Sequence, residues 1–185
     1  MRLEFKNMVC RHCVEALRCA LADAGYPALA AGLGYAEVDI RATDIEGLRV
    51  IDSAVAKMGF ERITDSQTRT AETIKLEILR HVNAAEPCAL NLSQCIEHAT
   101  CMDYRKASRI FSAIEGRTIE KYHIAARIEK VKELLSYNDM PLKEIAYRLG
   151  YSSVAFLSRQ FKQETGMTPT DYITSRHDRR CLNEI

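Results

Sequence analysis

Cys10 and Cys13 stand three positions apart in NMVCRHCVEALRCAL, residues 7–21, where an apolar run gives way to an amphipathic pattern. That spacing places the first thiol on a loop and the second in the opening turn of a helix. The open N–H groups of a helix start stabilise an anionic sulfur. Two such sulfurs a turn apart can grip one soft ion from two sides. Cysteine sulfur favours Cu(I) among available metals, and zinc and mercury are further soft or borderline ions for such a pair. Other chemistry fits the same residues. A thioredoxin-like dithiol is one reading, but no Trp or Pro adjoins the pair and the order of elements differs. A loop that only packs is a second. Half of a four-thiolate zinc site is a third, though residues 1–65 hold no second C-x-x-C.

A further group of soft donors lies downstream. Cys88, Cys95, His98 and Cys101 cluster in sequence, with Cys95, His98 and Cys101 at successive three-residue steps. They suit a second metal site or, more commonly, small apolar core positions. Cys19 and Cys181 have no evident partners, and His81, His123 and His177 are expected at the surface or as capping groups.

The elements that must carry these residues fall into two regions. Residues 1–65 read as strand, helix, strand, strand, helix, strand. Val14, Leu17, Leu21 and Ala24 recur at helical spacing before Gly25. Leu48, Ile51, Val55 and Met58 do so before Gly59. Strands are expected at 3–5, 27–31, 35–40 and 60–64. This βαββαβ order is a ferredoxin-like plan. Residues 66–70 are expected as a linker. From 71 onward strand signals vanish, and helices are expected near 71–83, 92–100, 104–115, 118–137, 141–149, 153–164 and 169–177, followed by a tail at 178–185. Asp103, Thr118 and Ser152 or Ser153 are placed to cap helices, and Pro141 and Pro169 to open them. RIFSAIEG at 109–116 is echoed by RQFKQETG at 159–166. The fold class is therefore α+β: a ferredoxin-like domain, then an all-α domain.

Bulk properties narrow the function classes. In a chain of 185 residues, 47% hydrophobic and 28% charged, no apolar run approaches the roughly 18 residues that span a bilayer. MRLEFKNM lacks the apolar segment of a secretion signal, so the expected compartment is the cytoplasm. Seven cysteines, an odd number, there read as thiols. Residues 1–65 hold 8 Lys and Arg against 10 Asp and Glu, and residues 66–185 hold 18 against 15. The second region is thus mildly basic, which favours nucleic acid weakly. No Ser/His/Asp set, phosphate-cradling glycine loop or carboxylate pair argues for an enzyme.

In the helical region Leu142, Ile145, Ala146 and Leu149 form one apolar stripe. The turn at Gly150-Tyr151 and the run SSVAFLSRQFK then complete a helix-turn-helix pattern, whose second helix can enter a major groove. PLKEIAYRLGYSSVAFLSRQFKQETGMTPTDYI resembles the second helix-turn-helix of AraC/XylS-type transcription regulators. CIEHATCMDYRKASRIFSAIEGRTIEKY resembles their first, and AARIEKVKELL their connecting helix. The resemblance covers 71–177 and implies two DNA-reading units joined by a long helix. Ile124, Ile128, Val131 and Leu135 are expected as that helix's buried stripe. Glu97 stands where the family has Ala, and Cys101 where it has a turn Gly. The first unit offers DNA Arg105, Lys106, Ser108 and Arg109. The second offers Ser153, Val154, Ala155, Ser158 and Arg159. Arginine pairs with guanine and lysine meets phosphate, whereas valine and alanine touch only thymine methyls, so the first unit is expected to do more of the sequence reading.

MVCRHCV followed by an amphipathic helix, with MGF near the end of the second helix, resembles the heavy-metal-associated domain of copper chaperones and metal-pumping ATPases, over residues 1–65. The resemblance implies Cys10 and Cys13 as ligands, Met8 packed beneath the loop, Phe60 beside it and His12 facing solvent. Val9 stands where zinc and cadmium relatives often have Asp, which favours Cu(I). Asn7 replaces a usual glycine. Together the two resemblances imply a metal-responsive, DNA-binding regulator whose partners are double-stranded DNA, a metal ion and a second copy that completes the ion's ligands, with no membrane. Two alternatives stay open: a regulator whose front domain binds a protein and no metal, and a metal carrier with a helical docking tail.

Overall fold

The computed structural model describes residues 1–84, 90–137 and 140–175. The chain divides into two compact units, Met1–Leu76 and Glu77–Ile185.

The first unit runs β1 (Arg2–Lys6), α1 (Arg11–Asp23), β2 (Ala28–Gly32), β3 (Tyr35–Val38), α2 (Ile45–Ala56), β4 (Glu61–Arg62) and the opening turns of α3 (Ser66–Asn83). The strands make one antiparallel sheet in the order β2-β3-β1-β4, so β3 lies between the two strands that α1 connects. Leu3 faces Ala36 across β1 and β3, and Phe5 faces Arg62 across β1 and β4. Period-two alternation turns Leu3 and Phe5 to one face of the sheet. There they meet Leu17, Leu21, Ile51 and Val55 from the helices, all nearly or fully buried, with Met8 and Phe60 in the same core. Full burial of each large aliphatic side chain contributes about 1.5–3 kcal/mol, and Leu17→Ala would cost about 2–5 kcal/mol.

Helix ends explain where the chain turns. Gly25 adopts φ 82 after α1, where its N–H bonds the Ala22 carbonyl and the Tyr26 N–H reaches back to Leu21. This closes the last turn with a left-handed residue that only glycine adopts cheaply. Asp44 caps α2 by accepting from the Gly47 N–H at 2.9 Å. The helix ends at Ala56, so Met58 falls out of its phase and is 48% exposed, against the expected buried stripe. Residues 66–70, expected as a linker, are helical. Asp65 accepts from the Thr68 N–H at 2.8 Å, which draws its carboxyl below the usual range, and α3 starts there.

The second unit contains the rest of α3, then α4 (Leu92–Thr100), α5 (Tyr104–Glu115), α6 (Ile119–Tyr137), α7 (Leu142–Arg148), α8 (Val154–Thr165) and α9 (Pro169–Ser175). Pro141 is the N-cap of α7 rather than its first residue, whereas Pro169 does open α9. The centre of this unit is α6. Ile128, Val131 and Leu135 are buried as expected and Ile124 only half so, but Tyr122, Ala125, Ala126 and Leu134 are buried too. The helix is covered almost all round. It even takes in Glu129 and Lys132, which pair at 2.7 Å. Among the described residues no helix is long and apolar enough to cross a membrane.

Candidate functional site

Two helical hairpins, α4–α5 and α7–α8, carry the residues expected to meet DNA. Each second helix is anchored in the same way. Asp103 caps α5 by accepting from the Lys106 N–H at 2.9 Å, and Ser153 caps α8 by accepting from the Phe156 N–H at 3.1 Å. Both helices end on a left-handed glycine, Gly116 or Gly166. Both turn a buried phenylalanine onto a buried tyrosine in a T-shaped contact: Phe111 on Tyr122 at 5.7 Å, and Phe161 on Tyr172 at 5.5 Å. Edge-to-face packing aligns the positive ring edge with the negative ring face. The echo in the sequence is thus a repeated anchor, with its members fifty residues apart.

Away from these anchors the helices present their outer faces. On α5, Arg105, Lys106 and Arg109 are exposed, Ser108 is half-buried, and none of the three cations makes an ion pair among the described residues. On α8, Ala155 and Arg159 are exposed, and Val154 and Ser158 are half-buried. The Arg159 guanidinium lies 5.2 Å from the ring of Phe156, itself 38% exposed. Each cluster thus occupies one helix face, the first with three exposed cations and the second with one. Ser153 is partly committed already, since its hydroxyl is the cap of α8.

The hairpin turns differ. Gly150, at φ 67, closes α7, with its N–H on Tyr147 and the Tyr151 N–H on Ala146 at 2.8 Å. Cys101 holds the corresponding place after α4 at φ 52, a left-handed conformation that costs a residue with a Cβ. The second turn is also one residue longer: Tyr151 and Ser152 separate Gly150 from the cap Ser153, while Met102 alone separates Cys101 from the cap Asp103. Glu97, unusual by resemblance, supplies a second cap. Its carboxylate accepts from the Tyr104 N–H at 2.8 Å, pairing a donor at the start of α5 that would otherwise lack a partner. Asn91 and Gln94 form a reciprocal capping box at the start of α4, a signal that N-x-x-Q in the sequence already carried.

At the front of the chain, Cys10 is the N-cap of α1 and Cys13 lies in its first turn, with their sulfurs 3.6 Å apart. Cys10 is exposed and Cys13 half-buried. Met8 lies in the core beneath them, at 2% exposure, and His12 is exposed. Phe60 is buried in the same core cluster. Asn7 adopts φ 70 and donates from its side-chain amide to the Gly59 carbonyl at 3.0 Å. Asparagine tolerates the left-handed region better than most residues, which accounts for its use in place of glycine. The sulfur separation is close to the roughly 3.8 Å between two ligands of a tetrahedral thiolate site with 2.3 Å bonds, so the donor pair fits a soft ion.

Among the described residues the downstream donors do not converge. Cys95 is buried and points toward the Leu90 carbonyl, Cys101 is exposed, and among the described residues no three metal-binding side chains come together. Cys88, Cys181, His177 and the tail at 178–185 lie outside the described residues. His81 and His123 depart from the surface expectation. Their rings meet edge to face at 5.8 Å, because each stands on the inward flank of its helix, α3 or α6. Burial, with Arg127 and His81 adding, pushes the His123 imidazole down to about 4. Burial also lowers His81, Glu77 opposing and Arg127 reinforcing. Periodicity did not mark these residues, since it ranks histidine as polar.

Residues 96–175 match a family model described as a helix-turn-helix domain, and this stretch runs from the middle of α4 through α9. The chain is 30% identical over 77 residues to the HTH-type transcriptional regulator RipA of Corynebacterium diphtheriae, covering 42% of this chain and 23% of that protein. It is 26% identical over 108 residues to the HTH-type transcriptional activator RhaR of Salmonella typhimurium, covering 58% and 38% respectively. It thus spans well under half the length of these relatives. Among solved structures it is similar to the C-terminal domain of AraT, a response regulator from Geobacillus stearothermophilus, at 24% identity and a TM-score of 0.48, covering 60% of this chain and 86% of that one.

Proposed function

We propose that this chain is a sequence-specific, DNA-binding transcription regulator of the AraC type, whose front unit answers to a soft metal ion. The carrying observation is the helix-turn-helix match over 96–175, together with two equally anchored helices that turn Arg105, Lys106 and Arg109, or Val154, Ala155, Ser158 and Arg159, outward. At 1.5 Å per residue, the 19 residues of α6 span about 28 Å. One turn of DNA is about 34 Å, so two hairpins held apart by such a rod can address successive major grooves on one face. Phosphate contacts from the cations position the protein, and arginine forks on guanine edges select the site.

The front unit is read as a heavy-metal-associated, ferredoxin-like domain. What supports this is the βαββαβ order with the sheet β2-β3-β1-β4, and the pair of sulfurs at 3.6 Å on the opening of α1. Cys10 and Cys13 would hold the ion, which supplies a positive charge and a demand for further soft donors. A second copy supplies those donors, so Cu(I) promotes dimerisation. Two experiments test the two halves separately. Genome-wide DNA capture with the wild type finds a shared operator, and the DNA reading fails if no duplex is enriched. Analytical ultracentrifugation with and without Cu(I) shows a mass change that Cys10→Ser/Cys13→Ser abolishes. An unchanged mass ends the dimer reading, and equal operator binding by both proteins at every copper level favours a front unit that binds a protein partner instead.

A further inference from the structure

A cleft of about 400 Å³ opens within the helical unit, lined among others by His81, His123, Arg127, Arg148, Leu92 and Leu149. Its walls come from α3, the start of α4, the middle of α6 and the end of α7 with its turn. It touches both hairpins and the helix between them. The volume falls within the range of small-molecule sites, about 300–1,000 Å³. Its chemistry is one-sided: two guanidinium groups and two imidazoles line it, and among the described residues no carboxylate does. Glu77 is the acidic group that acts on His81 from outside the lining, and it already pairs with Arg80 at 2.6 Å.

The polar groups of the cleft are also short of partners. Arg127 stacks its guanidinium 3.7 Å from the Tyr151 ring centroid, which uses the face of the group and leaves its edge. Its Nε and one Nη are buried with no hydrogen-bond acceptor among the described residues, and His81 Nδ1 is likewise buried without a partner there. Buried polar groups in native proteins are nearly always satisfied, and those without a protein partner point to strain, to a functional role, or to a water, ion or ligand that pairs them. A planar cation held by a stack, with its edge free, is set up to receive an oxyanion through paired N–H groups.

We propose that this cleft binds the phosphate or carboxylate group of a small organic anion, and that the bound anion fixes α4 against α7. Such a site gives the helical unit an effector input of its own, independent of Cys10 and Cys13. The test uses the full chain and inorganic phosphate as the probe, with thermal denaturation read against sodium chloride of equal ionic strength. Phosphate raises the Tm of the wild type by several degrees more than chloride does. Arg148→Gln and His123→Gln each remove most of that difference, while Arg41→Gln, on an exposed loop of the first unit, keeps it. Circular dichroism confirms that the variants fold, and Arg148, at the rim, is the safer of the two. Equal shifts from phosphate and chloride, or a phosphate shift that survives both cleft variants, overturn the proposal. A third arm separates the sources of the anion. Duplex affinity that Arg148→Gln leaves within about twofold supports a small ligand. Duplex affinity that falls with Arg148→Gln and is competed by free phosphate assigns the group to the DNA backbone and overturns the small-ligand reading.

Discussion

The two hairpins of the helical unit share a scaffold, and Ser108 and Arg109 on α5 recur as Ser158 and Arg159 on α8, but Arg105 and Lys106 give way to Ala155 and Phe156. Asp103 and Ser153, Gly116 and Gly166, Phe111–Tyr122 and Phe161–Tyr172 are the same devices in the same order. The first turns of α5 expose Arg105, Lys106 and Arg109, whereas those of α8 expose Ala155, Phe156 and a single cation, Arg159. The turn before α5 holds a strained Cys101, and the turn before α8 a relaxed Gly150. Positions that set the angle of a helix are thus held constant, while two of the outward positions in the first turn change from cation to apolar residue. A repeated scaffold therefore does not imply a repeated task.

The comparison can be broken most directly at the anchors. Phe111→Ala and Phe161→Ala should each cost about 3–5 kcal/mol in chemical denaturation, as expected for deleting a fully buried ring. A difference of more than about 2 kcal/mol between them would show that the scaffolds are not equivalent. The seam of α3 and α6 behind the hairpins is the next largest effect. His123 titrates near 4 when folded and near 6.5 when unfolded. The unfolded chain therefore binds more protons between those values. The contribution of His123 to stability is therefore fully present above about pH 6.5 and is lost toward pH 4, by an amount on the order of 3 kcal/mol. A pH series of urea melts checks this, and His123→Gln should flatten the slope.

Binding sharpens the contrast further. Against a selected duplex, Arg105→Ala and Arg109→Ala should each weaken binding by about 1–3 kcal/mol with relaxed specificity, whereas Val154→Ala should cost less than about 1 kcal/mol. Fluorescence anisotropy that shows the reverse order would move the sequence reading to the second hairpin. At the turns, Cys101→Gly should raise stability by about 1 kcal/mol and Gly150→Ala lower it by about 1–2 kcal/mol, since each exchanges a left-handed glycine with a residue bearing a Cβ. The smallest effect is expected at Glu97→Ala, about 0.5–1 kcal/mol, from the lost cap at Tyr104.

Local rules made much of this architecture readable. Leu17 and Leu21, spaced one turn apart, mark the buried side of α1, and Asp103, Thr118 and Ser153 announce helix starts because their oxygens replace missing backbone acceptors. Ala107 and Phe111 are the buried side of α5, which leaves Arg105, Lys106 and Arg109 on its exposed side. What escaped depends on tertiary placement. The sequence of α6 carries a four-residue stripe, yet helices on several sides bury Glu129 and Lys132 as well, and no local period encodes neighbours that arrive from elsewhere. His81 and His123 are forty-two residues apart and meet only in the fold. The linker expected at 66–70 is polar, but polarity does not distinguish a loop from the exposed first turns of a capped helix.

The extra residue in the second hairpin's turn has a consequence for anyone building chimeras. Before the turn, matching positions differ by forty-nine in number, and after it by fifty. A graft cut upstream of the caps would rotate the transplanted helix by about 100° about its own axis, since that is the angle one residue subtends. Exchanging 103–116 with 153–166, cap to closing glycine, is the splice that keeps each aromatic plug in its socket while handing one hairpin the other's reading surface.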